Sequence, residues 1–125
     1  MNILVVDDEK DIRTLFEQKF RKEIRDNVFT FKFAHSGEEA LEQLEDSTIV
    51  LILSDINMPG MSGLELLRRV RGIFPAAPPK VFIITAYGDN DNRERANQLG
   101  ADDFLNKPID FASLKEKIAE ERTEE

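Results

Sequence analysis

The chain contains no cysteine. Disulfides, thiolate metal sites and a cysteine nucleophile are therefore excluded, and the absence fits a reducing compartment. Long hydrophobic runs are missing too. The N-terminal MNILVVDDEK carries four apolar residues before two aspartates, too few for the apolar region of a signal peptide. No other run approaches the length that spans a bilayer, so a cytoplasmic protein is expected, with no membrane partner. An excess of positive charge is also lacking. The chain has 25 acidic against 17 basic residues, a net charge of −8, and such a surface repels phosphate backbones. Direct nucleic-acid binding is therefore not expected. Acidity serves solubility, and it also leaves room for a clustered acid site that wants a cation. Internal repeats and low-complexity tracts are absent.

What is present is one domain's worth of alternating pattern. At 125 residues the chain suits one domain, residues 1–125, with a core that needs no staples. Apolar runs occupy residues 3–6, 28–34, 49–53, 81–84 and, weakly, 104–105. Helical spacings fall between them. Ile12, Leu15, Phe16, Lys19, Phe20 and Ile24 form one face at i, i+3 and i+4 intervals. Ala40, Leu41 and Leu44 form a second, Leu64, Leu67 and Val70 a third, and Phe111, Leu114 and Ile118 the last. Residues 89–99 are mostly polar, with Ala96 and Leu99 their apolar members, and they predict the loosest helix. Ser36 and Ser62 each precede a glutamate by three residues, the spacing of a capping box. Gly72 and Gly100 stand where left-handed caps are expected.

Strands alternating with helices five times predict an α/β domain, a doubly wound parallel sheet of flavodoxin-like (βα)5 form. The first, third and fourth runs are continuously apolar, as strands covered on both faces should be. The second alternates, with Phe29, Phe31 and Phe33 on one side and Thr30 and Lys32 on the other, and reads as an edge. The short fifth run opens on Asp102 and Asp103 and is the other edge. This gives the order 2-1-3-4-5.

In such sheets a ligand sits beyond the carboxyl ends of the strands. The first run ends in Asp7, Asp8 and Glu9, the third in Asp55, the fourth in Thr85 and the fifth in Lys107. Singly, each is an ordinary loop residue. Together they bring carboxylates, a hydroxyl and an ammonium to one edge from four strand ends. Clustered carboxylates repel one another unless protons, a cation or Lys107 compensates. Oxygen-only ligands in an open site suit Mg²⁺. A carboxylate so placed can attack phosphorus and form an aspartyl phosphate. The metal, Lys107 and Thr85 could then hold the phosphoryl oxygens.

These residues lie in DDE at 7–9, SDINMPGMSG at 54–63, TA at 85–86 and GADDFLNKP at 100–108. In this order and spacing they resemble the receiver domain of two-component response regulators, the CheY-like family, over essentially the whole chain. The resemblance implies a phosphorylation-activated signalling switch. Asp55 accepts a phosphoryl group from a phosphohistidine of a sensor histidine kinase or phosphotransfer protein, in a Mg²⁺-dependent reaction. Asp8, Asp55 and the Asn57 carbonyl ligate the metal, and Asp7 acts largely through water. The domain is then no conventional enzyme, but catalyses its own phosphorylation and dephosphorylation through Asp55, Thr85 and Lys107. Thr85 and Phe104 are the switch pair, and the Lys107–Pro108 bond is expected to be cis. Tyr87, two residues past Thr85, borders the path of hydrolytic water. Output is expected through the surface of the fourth helix, fifth strand and fifth helix, from a monomer or a phosphorylation-dependent dimer. Nothing after the fifth helix in these residues reads as an effector domain.

Some positions depart from the pattern. Ile109 replaces an aromatic residue often found there. Phe104 lacks a tyrosine hydroxyl, so its inward state is expected to be populated even without phosphate. His35 reads as a surface residue. Three other readings compete. An inactive docking receiver would have lost an acid or the lysine. A haloacid dehalogenase phosphatase needs an acid where Asn57 stands. A flavodoxin-like cofactor binder needs a phosphate cradle after the first strand, where Asp7, Asp8 and Glu9 stand instead.

Overall fold

The computed structural model describes residues 1–86 and 88–123. Tyr87, expected from the sequence to border the path of hydrolytic water beside the switch residue Thr85, lies outside the described residues. Five strands and six helices follow one another as β1 (Asn2–Val6), α1 (Ile12–Lys19), α2 (Arg21–Arg25), β2 (Thr30–Ala34), α3 (Gly37–Gln43), β3 (Ile49–Asp55), α4 (Gly63–Ile73), β4 (Lys80–Ala86), α5 (Asn90–Gln98), β5 (Asp103–Lys107) and α6 (Phe111–Thr123). All strand pairs are parallel, in the order β2-β1-β3-β4-β5. This is the doubly wound order that the apolar runs predict. None of the described helices is long and apolar enough to cross a membrane.

The continuous runs form the centre because both of their faces are buried. Ile3, Val5, Leu51, Leu53, Phe82 and Ile84 pack on one side, beneath Phe16, Phe20, Leu114 and Ile118 of the α1–α2 stretch and α6. Leu4, Val6, Ile52, Val81 and Ile83 pack on the other, against α3, α4 and α5. A fully buried aliphatic or aromatic side chain contributes about 1.5–3 kcal/mol, so the three central strands carry most of the sheet's stability. On β2, Phe33 is buried, as is Phe29 just before the strand, and Thr30 is exposed, which makes it the predicted half-covered edge.

Three local expectations need correction. The first apolar face is divided between α1 and α2, because Phe20 leaves helical dihedrals at φ −113° and ψ 23°. Its ring is fully buried, 4.9 Å from Phe31 and 5.8 Å from Phe16, so core packing overrides helix continuation there. Leu15, counted on the same face, is 37% exposed. Gly72 is no cap; it lies within α4, whereas Gly100 does cap α5 at φ +98°. Ser36 and Ser62 act as expected, their hydroxyls accepting from the N–H groups of Glu39 and Glu65.

The register brings the strand ends level. Val6 pairs with Ser54, Asp55 with Ile84, Thr85 with Asn106 and Ala86 with Lys107. The return from β3 into α4 is tight. A Cβ on Gly63 would stand 2.2 Å from the Asp55 carbonyl oxygen, while one on Gly72 would meet nothing within 4 Å. Gly63→Ala should therefore destabilise by about 1–3 kcal/mol, since backbone cannot move aside cheaply. Gly72→Ala should stabilise by about 0.5–1 kcal/mol through helix propensity. Urea midpoints check both, and equal effects would refute the close-packing account.

Candidate functional site

Asp55 closes β3 and is 2% exposed, so the strand with the longest unbroken apolar run delivers a carboxylate into a buried position. One of its oxygens accepts from the Asn57 N–H at 3.3 Å, and the other accepts from Lys107 Nζ at 2.8 Å. Lys107 is the last residue of β5, and its peptide bond to Pro108 is cis, as expected. Asp7 follows β1 and is 3% exposed. Its N–H donates to the Ala34 carbonyl at 3.0 Å, extending the ladder with β2, and its carboxylate accepts from the Glu9 N–H at 2.9 Å. Asp8 is exposed beside it. Carboxylate oxygens of Asp7, Asp8 and Asp55 all lie within 4.8 Å of one another. The exposed His35 places Nδ1 3.2 Å from the Asp7 carbonyl oxygen, consistent with its reading as a surface residue.

Electrostatics follow from this crowding. The Asp7 carboxyl is raised above its ordinary value, chiefly by burial; the Glu9 N–H opposes the rise and the Asp55 charge adds to it. For Lys107, burial pulls the ammonium down, but the hydrogen bond and charge of Asp55, with the charges of Asp7 and Glu9, outweigh it and the net shift is upward. The lysine thus stays cationic and meets part of the acid charge. Three carboxylates against one ammonium leave a deficit that a hard divalent cation fits, and the donor set is oxygen throughout.

Thr85 is wholly buried, and its Oγ1 has no hydrogen-bond partner among the described residues. A buried hydroxyl left unpaired costs about 1–3 kcal/mol. It stands beside the acid pocket, on the strand next to Asp55. Asn57 is exposed on the loop that follows β3. Phe104 is half-buried and packs against the core beneath α5. Its ring is covered by Arg93, whose guanidinium carbon is 5.0 Å from the ring centroid. Arg93 was missed in the sequence, where residues 89–99 read only as a polar helix. The one available signal was an arginine on the helix that crosses the fifth strand.

A family model described as the response regulator receiver domain matches residues 3–119. The response regulator protein PilR of Pseudomonas aeruginosa is 39% identical over 116 residues, which are 93% of this chain and 25% of PilR. An uncharacterized 14.6 kDa protein of Leptolyngbya boryana is 38% identical over 114 residues, 91% of this chain and 84% of that protein. Among solved structures, a CheY-like response regulator receiver domain protein from Methanospirillum hungatei superposes with a TM-score of 0.84 at 31% identity, covering 98% of this chain and 94% of its own. The chain spans roughly a quarter of the length of the first curated relatives it matches.

The strain on Asp7 has a measurable sign. A carboxyl whose pKa is higher folded than unfolded binds its proton more tightly in the folded state, so ionisation penalises folding. The penalty is absent below the ordinary value of 3.8, grows as pH rises, and is complete above the folded value. Asp7→Asn should therefore be more stable than the parent, with a gap that widens as pH rises above the ordinary carboxylate value of 3.8. Relief of about 1 kcal/mol would read as a Tm rise of roughly 3–6 °C. A gap that is constant or narrows with pH would show that Asp7 carries no such penalty.

Proposed function

The chain belongs to the response regulator receiver domain family, and from that premise we propose that Asp55 accepts a phosphoryl group from a phosphohistidine and that the acquired charge re-sets the surface of α5, β5 and α6. A receiver is a signalling switch of two-component systems, not a conventional enzyme. The observation that carries the finer reading is the setting of Asp55: a buried carboxylate bridged to Lys107 at 2.8 Å, with Asp7 and Asp8 in the same pocket. An inactive docking domain has no need to retain this costly charge cluster.

In the proposed transfer, one Asp55 carboxylate oxygen attacks phosphorus. The P–N bond to the donor imidazole breaks, its electron pair stays on the imidazole nitrogen, and a new P–O bond forms at Asp55. Lys107, already hydrogen-bonded to Asp55, stabilises negative charge on the phosphoryl oxygens. Asp8, Asp55 and the Asn57 carbonyl, with Asp7 through water, would hold Mg²⁺. Bound there, the ion would neutralise charge on the phosphoryl oxygens and orient them. Thr85 offers its unpaired hydroxyl to one of those oxygens, so the reaction satisfies a buried donor that is otherwise idle. Hydrolysis would return Asp55 to its free carboxylate.

The donor protein would meet an apolar surface beside the site. Ile12, Leu15, Ile109 and Phe111 line a cavity of about 310 Å³ that also borders Asp7 and Lys107. A helix carrying the phosphohistidine could bury its apolar face there while presenting the imidazole to Asp55. Location in the cytoplasm follows from this role. Residues 1–125 are read as one receiver domain, whose output rests with partners of the whole protein.

Incubation with acetyl phosphate and Mg²⁺ should add one acid-labile phosphoryl group, lost in Asp55→Asn and prevented by chelating the metal. Lys107→Ala should remain labelled but fail to pass the change to β5. Peptide mapping that places the label on Ser54, Ser62 or His35 would overturn the assignment.

A further inference from the structure

The helix that covers β4 and β5 is held very differently at its two ends. Of the residues in α5 only Ala96 is buried. Its C-terminal end is tied down. Arg71 reaches from α4, with Nε donating to the Gly100 carbonyl at 3.0 Å and Nη2 to the Asp102 carboxylate at 2.6 Å. The Ala101 N–H donates to Ala96 O at 2.9 Å, and the Asp102 N–H to Val81 O at 2.8 Å. At its start, among the described residues, a single backbone bond ties the helix to β4, the Asp89 N–H donating to Ala86 O at 3.2 Å. Asp89 caps the helix from within, accepting from the Asn92 N–H. One turn along, Arg93 crosses to β5: its guanidinium stands over the Phe104 ring, and Nη1 donates to Asn106 Oδ1 at 3.1 Å.

Both residues that Arg93 touches are register partners of the switch strand. Phe104 pairs with Ile83 and Asn106 with Thr85, whose buried hydroxyl has no partner among the described residues. We propose that Arg93 is a latch that holds Phe104 in its half-buried position and thereby sets how readily the domain enters its switched state. The proposal rests on the reading of Thr85 and Phe104 as the switch pair. Any displacement of the ring from under Arg93 forfeits the stack, and any shift of β5 relative to α5 strains the bond to Asn106. The contact therefore opposes rearrangement at the end of α5 that, among the described residues, is otherwise more lightly held. It also supplies a restraint on the ring that a tyrosine hydroxyl cannot provide here, because residue 104 is phenylalanine. A planar, forked guanidinium makes both contacts at once, which an ammonium does not.

The test uses the full chain with Mg²⁺ and beryllofluoride as phosphoryl mimic, following the amide signals of residues 85–107. Wild type is compared with Arg93→Ala, Arg93→Lys and Asn106→Ala. In Arg93→Ala the mimic-free signals of residues 104–106 should already lie displaced along the line that joins the free and mimic-bound wild-type positions. The mimic should bind about two- to fivefold tighter, the size expected from loss of an exposed cation–π contact that opposes the bound state. Arg93→Lys and Asn106→Ala should fall between Arg93→Ala and wild type. Mimic-free signals at wild-type positions with unchanged affinity would overturn the latch while leaving the switch standing. So would scatter off that line confined to residues 90–98, which reports only a frayed helix. If the mimic binds the wild type without moving residues 104–106, the switch reading falls and the latch falls with it.

Discussion

Repulsion among Asp7, Asp8 and Asp55 is the constraint on which the rest of this molecule turns. Two of the three are nearly excluded from water, and each is held by a strand whose own core is apolar and covered on both faces. The carboxylates cannot relax by moving apart without disrupting that core, because interiors are packed too densely to deform continuously. Their charge must be answered where it stands. Lys107 answers part of it from the neighbouring edge of the sheet, and the all-oxygen donor set leaves the remainder to a hard cation. Under the proposed transfer, the pocket's modest electrostatic penalty would serve a nucleophilic carboxylate and a place for phosphoryl oxygens. Such a penalty is tolerable where the surrounding strands are stable, and β1, β3 and β4 are the most buried elements of the fold.

A second unsatisfied group connects that pocket to the outer surface. The Thr85 hydroxyl is buried and has no hydrogen-bond partner among the described residues. A phosphoryl oxygen on Asp55 would give it a partner, so the chemistry at one strand end acquires a preference for a particular arrangement of the next. Beyond β4 lies the edge strand, and above it α5, a helix that buries one alanine. Elements that move are drawn from the weakly anchored part of a structure. A phosphoryl group shifts such an element only by the difference in its interaction with the two arrangements. In the proposed switch the hydroxyl would supply that difference, and Arg93 and Arg71 would set which end of the helix can respond to it.

Much of the architecture was readable because it rests on period and burial. Unbroken apolar runs at residues 3–6, 49–53 and 81–84 can only be strands covered twice, and the alternation of Phe29, Phe31 and Phe33 can only be an edge, so the strand order followed. The acid site was readable for a related reason: in a parallel sheet the strand ends are level, and residues remote in the chain meet there by topology. What escaped notice depends on side-chain reach. The break at Phe20 arises from a buried ring cluster formed by residues of β2 and α6, which a one-dimensional period does not represent. Leu15 sits at an i+3 position yet faces the outside at the margin of the site. Arg93 and Arg71 carry no periodic signal, and their contacts come from long side chains crossing to other elements. Gly72 has the composition of a cap but the dihedrals of a helix, because α4 runs one residue beyond it.

The account stands on the link between Asp55 and Thr85, and the most direct test is a crystal structure of the full chain with Mg²⁺ and beryllofluoride on Asp55. The account predicts the Thr85 hydroxyl within hydrogen-bonding distance of a fluoride, about 3 Å or less, with Lys107 Nζ on a second fluoride and Phe104 displaced from beneath Arg93. A fluoride complex in which Thr85 Oγ1 stays unpaired, and Phe104 keeps its place under Arg93, would contradict it.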